Sequence, residues 1–154
     1  MKRASTPADG AAGAVGGPVL FFDGECGLCQ RIVRVLLRLD PGARLRYAAL
    51  QSPVAQAYLR HHGLPVADFD SLIFVPDWSR RDRPEYLVRT AGAVAALRST
   101  GGAGARAVAG LLARLPERVR DGGYTCVARV RHRVFGPWRE RPLRRPEWAA
   151  RFLP

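Results

Sequence analysis

The sequence predicts an α/β domain: a mixed sheet of about four strands flanked by helices, with a helical extension at the C-terminal end. Three features carry that prediction. Val19–Phe22 (VLFF) is a short unbroken apolar run, the pattern of a strand buried on both faces. An amphipathic helical stripe follows within a few residues. Strand-like and helix-like segments then alternate as far as Thr90, beyond which the patterning is helical. With 154 residues, 47% hydrophobic and 25% charged, the chain has the size and balance of a single globular domain.

Met1 to Pro18, rich in Ala and Gly, reads as a flexible leader ahead of a domain spanning residues 19–154. Lys2 and Arg3 open it as a signal peptide would, but Pro7, Asp9 and Gly10 interrupt any apolar stretch behind them, which favours a cytoplasmic location. After the first strand, Asp23-Gly24-Glu25 makes a turn and a helix begins near Cys26. Cys29, Ile32, Val33, Leu36 and Leu37 share its apolar side, with Arg31, Arg34 and Arg38 opposite. Asp40-Pro41-Gly42 stops it. Arg44–Ala49 alternates, with Leu45, Tyr47 and Ala49 inward, as a half-buried strand does. Ser52 caps a helix that takes Pro53 at its first position and runs to Gly63.

Ser71–Val75 is a third strand, Pro76–Pro84 a polar loop and Glu85–Arg89 a fourth strand, the hairpin partner of the third. Thr90 is the expected cap of an alanine-rich helix that ends near Gly101-Gly102. Ala105–Leu115 and Glu117–Phe135 are helical, separated by Pro116, the latter with a weak point at Gly122-Gly123. From Gly136 onward proline and arginine dominate, and Trp138, Trp148 and Phe152 are the expected anchors onto the domain. Right-handed crossovers turn this order into a thioredoxin-like sheet.

Lys+Arg 25 against Asp+Glu 13 gives a formal charge of +12. Lys2 is the only lysine, the arginines are spread along the chain, and neither a ribonucleoprotein signature nor Cys/His finger spacing accompanies them. The pattern argues against a nucleic-acid partner and for a solvated arginine surface. Eleven arginines from Arg114 to Arg151, against Glu117, Asp121, Glu140 and Glu147, leave room for peripheral contact with an anionic surface. No apolar run is long enough to span a bilayer.

Cys26, Cys29 and Cys126 are an odd number of cysteines, which excludes a secreted disulfide scaffold and points to thiol chemistry or a metal. Cys26-Gly27-Leu28-Cys29 lies between a buried strand and a helix start. Unpaired N–H groups and the helix dipole there favour a thiolate. Cys26 is expected to be the exposed attacking sulfur and Cys29, on the apolar stripe one turn deeper, the buried resolving one. Asp23 reads equally as a turn or capping residue and as a carboxylate that takes and returns the Cys29 proton through water. Cys126 reads as a small buried hydrophobe, His132 as solvent-facing and Trp78 as a loop anchor. A structural zinc site takes four ligands, and Cys126, His61, His62 and His132 supply no second pair at ligand spacing, so neither metal nor cofactor is expected.

FFDGECGLC resembles the Asp-x-x-Cys-x-x-Cys signature of the DCC-family thiol-disulfide oxidoreductases, with Asp23, Cys26 and Cys29 at its three named positions. The similarity extends through Tyr47–Ser52, Arg133–Gly136 and Pro146–Leu153. It implies a thioredoxin-like fold, a protein disulfide or dithiol substrate and a separate redox partner. The chain departs from the pattern at Pro137-Trp138-Arg139, where members often carry a further cysteine. It also has Phe69-Asp70-Ser71 where thioredoxins place a proline before the third strand. Two other readings compete. VLFFD resembles the nucleophile strand of haloacid-dehalogenase phosphohydrolases, although position 25 is glutamate where that motif wants aspartate. The arginine-rich C-terminal part fits a non-catalytic interaction module.

Overall fold

The computed structural model describes residues 16–154, so most of the expected leader lies outside the described residues. Its last residues belong to the domain: the Arg46 N–H donates to the Pro18 carbonyl at 3.0 Å and the Trp78 N–H to that of Gly17 at 2.8 Å.

The apolar run Val19–Phe22 forms β1, with all of its side chains buried. β2 (Arg46–Ala49) pairs with it in parallel, Leu20 opposite Tyr47. β3 (Ile73–Val75) pairs on the other side, antiparallel, with Leu20 opposite Phe74. β4 (Leu87–Val88) is antiparallel to β3, giving the order β2-β1-β3-β4. The parallel pair requires a crossover, supplied by α1 (Gly27–Leu39). α2 (Pro53–His61), capped by the Ser52 hydroxyl on the Ala55 N–H, carries the chain back across the sheet.

Because β1 is central, its alternate side chains feed two cores. Val19 and Phe21 join Ala48, Leu50, Tyr58, Leu59 and Trp78 on the α2 side. Leu20 and Phe22 join Val33, Leu36, Leu37, Tyr47 and Phe74 on the side of α1 and α3 (Arg89–Ser99). This is the predicted thioredoxin-like arrangement. Two-sided cover also explains why Ala48 is buried, where simple alternation along β2 would expose it. Trp78, in a short 3-10 turn of the polar loop, meets the edge of Phe21 at 5.7 Å, on the face away from the cysteines. It anchors its loop.

α4 (Ala103–Arg114) and α5 (Glu117–Phe135) form the helical extension, and α5 runs unbroken through Gly122-Gly123. Thr90 does not cap α3. The helix leaves β4 directly at Arg89, which has φ of 53° and whose N–H is held by the Ser71 hydroxyl at 2.9 Å. The Thr90 hydroxyl instead donates to Asp121 of α5. The same abrupt junction shortens the fourth strand.

Beyond α5 the chain returns over α1 and ends along β2. Arg151 is buried against Asp40 at the end of α1: its guanidinium pairs with the carboxylate and also donates to the Leu45 carbonyl at 2.7 Å. Asp40 in turn accepts the N–H groups of Arg44 and Leu45 at 3.1 and 2.8 Å. Phe152 bridges to Tyr47, the Leu153 N–H donates to the Tyr47 carbonyl at 2.8 Å, and the Val54 N–H donates to the Pro154 carbonyl at 3.2 Å. Trp148 and Phe152 are anchors, as expected. Among the described residues, no helix is long and apolar enough to cross a membrane.

Candidate active site

β1 delivers its next residue, Asp23, to the turn above the sheet, where it is only 6% exposed. One carboxylate oxygen, Oδ1, accepts the Glu25 N–H at 3.1 Å and the Gln51 side-chain amide at 2.8 Å, so Asp23 does tie the turn. The other, Oδ2, takes the guanidinium of Arg131 at 3.4 Å and lies 3.7 Å from His132 Nε2. The turn sets Cys26 at the N-cap of α1, where its sulfur accepts the backbone N–H of Cys29 at 3.5 Å. A helix start points its unpaired N–H groups and the positive end of its dipole at a sulfur in that position.

Cys29 lies one turn further on, its side chain hydrogen-bonded to Cys26. Its thiol is pushed up to about 12, chiefly by burial, then by the hydrogen bond and charge of Cys26. Arg131 opposes that rise, donating from Nη1 to the Cys29 sulfur at 3.7 Å. The two sulfurs therefore differ in character: one carries the helix N–H, the other holds its proton.

Their exposure is the reverse of the expectation. Cys26 is fully buried, at 0% exposure, and Cys29 is half-buried. Cys29 lines an apolar recess of about 70 Å³ with Leu28, Ile32, Leu72, Tyr124 and Val127. The cause is a strap, Phe135–Trp138, laid along the turn. Cys26 and Pro137 form an antiparallel bridge, with the Gly27 N–H on the Gly136 carbonyl at 3.2 Å and the Trp138 N–H on the Glu25 carbonyl at 2.8 Å. Local patterning gives no hint of a contact made more than a hundred residues away.

Arg131 and His132 are the residues that sequence reasoning missed. Arg131 is 5% exposed, far from the solvated surface assigned to the arginines, and it also binds the Phe69 carbonyl. A signal existed: Tyr124, Ala128, Arg131 and Phe135 recur at helical spacing, one face of α5. His132 is exposed as expected but reaches Asp23. Cys126 corrects the sequence reading: it is exposed, because α5 turns Tyr124, Ala128 and Arg131 inward in its place. The nearest thing to a metal site among the described residues is Asp23, Cys26 and His132, whose ligand atoms lie within 4.8 Å of one another. These are donor types zinc takes, but a cation arriving there meets the guanidinium already on Asp23.

A family model described as DCC1-like thiol-disulfide oxidoreductase matches residues 20–137, a span that holds all of the sheet but Val19, together with Cys26, Cys29, Asp23 and Arg131. The chain belongs to this family. It is also 33% identical over 136 residues to the uncharacterized protein YuxK of Bacillus subtilis (strain 168), covering 88% of this chain and 93% of that protein. No solved structure matches it. The family match supports a thiol-disulfide oxidoreductase role rather than the phosphohydrolase that VLFFD resembles.

Proposed function

We propose that this member of the DCC1-like family reduces disulfides of protein substrates in the cytoplasm, with Cys26 attacking and Cys29 resolving. The observation that carries the reading is the Cys29 N–H on the Cys26 sulfur at the start of α1, with the protonated Cys29 thiol alongside. The Cys26 thiolate attacks one sulfur of the substrate disulfide and the other departs as thiolate. Cys29 then loses its proton through water to Asp23 and attacks the Cys26 sulfur, releasing the second substrate thiolate. Two electrons pass to the substrate and the pair ends as a Cys26–Cys29 disulfide, which a low-potential dithiol reduces again.

Arg131 supports the second step. Its charge favours the Cys29 thiolate and holds the Asp23 carboxylate in place, while His132 lies between Asp23 and solvent, where the proton can leave. Glu25 and Gln51 fix the turn.

The test is a Cys29→Ser variant in a Cys126→Ser background, incubated with a protein carrying an accessible disulfide. A mixed disulfide mapped to Cys26 is the expected product, together with a Cys26–Cys29 disulfide in the oxidised parent. A parent that forms no such disulfide, and a variant that traps nothing, would end this reading.

A further inference from the structure

The strap over Cys26 is bound the way an extended peptide binds a sheet edge. Around the Cys26–Pro137 bridge, the backbone bonds run from Gly27 to Gly136 and from Trp138 to Glu25. That is the non-hydrogen-bonded pair of an antiparallel ladder, in which the two central side chains share a face and neither central N–H is used. Pro137 therefore sits where its missing N–H costs nothing. Gly27 makes the approach possible: a Cβ there would stand 2.8 Å from the Phe135 carbonyl oxygen and 3.1 Å from that of Gly136.

Two arginines of α1 seat the aromatic ends of the segment. The Arg34 guanidinium lies over the Trp138 ring at 4.9 Å and Arg31 over the Phe135 ring at 5.5 Å. Arg34 also donates to the carbonyls of Arg141 and Pro142. Nothing in this set reads the identity of Cys26. It is a generic strand-docking edge with an aromatic seat, placed so that whatever occupies it lies against the sulfur.

We propose that the Glu25 carbonyl, the Gly27 N–H and the Arg34 face form the docking site for an extended segment of the protein substrate bearing an aromatic side chain. The chain's own Gly136-Pro137-Trp138 holds that site until a substrate displaces it. The inference deepens the proposed function, since it rests on Cys26 as the attacking sulfur. Exchange of one extended segment for another conserves both backbone hydrogen bonds and the cation–π contact, so displacement costs little more than the strap's tethering. It also explains how a fully buried sulfur meets a macromolecular disulfide: the incoming chain replaces the cover.

The experiment reads reduced protein and needs no turnover, so it stands apart from the test of redox cycling. In the full chain carrying Cys29→Ser and Cys126→Ser, the rate of Cys26 alkylation by iodoacetamide is measured with and without Trp138→Ala. Loss of the Arg34–Trp138 contact is expected to raise the rate about tenfold with the thermal midpoint little changed. A synthetic Val-Phe-Gly-Pro-Trp-Arg peptide in excess is expected to restore protection, and the same peptide with Ala for Trp is not. Trp138→Phe, which keeps a ring over Arg34, should stay near the parent rate. Should Trp138→Ala fail to fold, Gly27→Ala, which pushes the strap away by its Cβ, takes its place in the same assay. An unchanged rate in a folded variant, or a raised rate on which the peptide has no effect, overturns the proposal. In the first case the strap does not gate Cys26, and in the second the edge does not bind peptide.

Discussion

Arg131 donates to the sulfur of Cys29 at 3.7 Å, and the same guanidinium reaches Asp23 at 3.4 Å. One buried cation thus ties the end of β1, the first helix and the last long helix to a single point, and it also donates to the Phe69 carbonyl. Replacing it with Met leaves Asp23 buried without its cation, and loss of one partner of a buried pair costs about 3–5 kcal/mol. Urea unfolding of Arg131→Met should show that loss, and Arg131→Lys a smaller one. In the folded Lys variant the Cys29 alkylation profile should move no lower in pH than in the parent, since a lysine ammonium replaces the fixed guanidinium fork with a single point charge.

The Asp40–Arg151 pair makes a second, independent prediction. Arg151→Met removes the partner of a buried carboxylate and frees the C-terminal segment, and it too should cost about 3–5 kcal/mol. Adding Asp40→Asn should recover part of the loss, because the uncompensated charge is then gone. A double variant no more stable than the single one would mean that the penalty lies in the lost anchoring.

Alkaline pH should unfold the chain sooner than exposed thiols would. The Cys29 thiol is raised from its ordinary 9.0 to about 12 by burial, and Tyr58 from 10.0 to about 12 for the same reason. Between those values the unfolded chain gives up protons that the folded chain keeps, so stability falls as pH rises from about 9 to about 12, and buried Tyr47, raised further still by burial, extends the fall beyond. Denaturant midpoints at pH 8, 9.5 and 11 should trace that fall, and Cys29→Ala should make it shallower.

Cys126 should be dispensable. It is exposed on α5, so Cys126→Ser should change stability by no more than about 0.5 kcal/mol. Thiol titration of the native protein with a bulky reagent should find Cys126 first, and the variant should keep a Cys26–Cys29 disulfide when oxidised.

What could be read from the sequence was whatever depends on neighbours along the chain. β1 is a local apolar run, α1 a local stripe with a cap, and Ser52-Pro53 a local start signal. The Asp23, Cys26 and Cys29 cluster is legible for the same reason. Arg131 and Pro137 are harder to read: the cysteines they meet lie more than a hundred residues away, and in a chain this rich in arginine a buried one carries no compositional mark beyond its helical spacing with Tyr124, Ala128 and Phe135. Thr90 shows the limit from the other side. Its capping signal is real, but Asp121 offers its hydroxyl a better partner than the helix end does.

The seam between Tyr47 and Phe152 has a consequence of its own. β2 would otherwise leave a row of open amides and carbonyls facing outward, a template on which another polypeptide could polymerise. The last residues lie along that margin and occupy the Tyr47 carbonyl and the Val54 N–H beyond it. The opposite margin, β4, is only two residues long. Shortening the chain by its final few residues should therefore produce a protein that still folds while dilute but clumps on concentration, because what those residues guard is the solitude of the sheet.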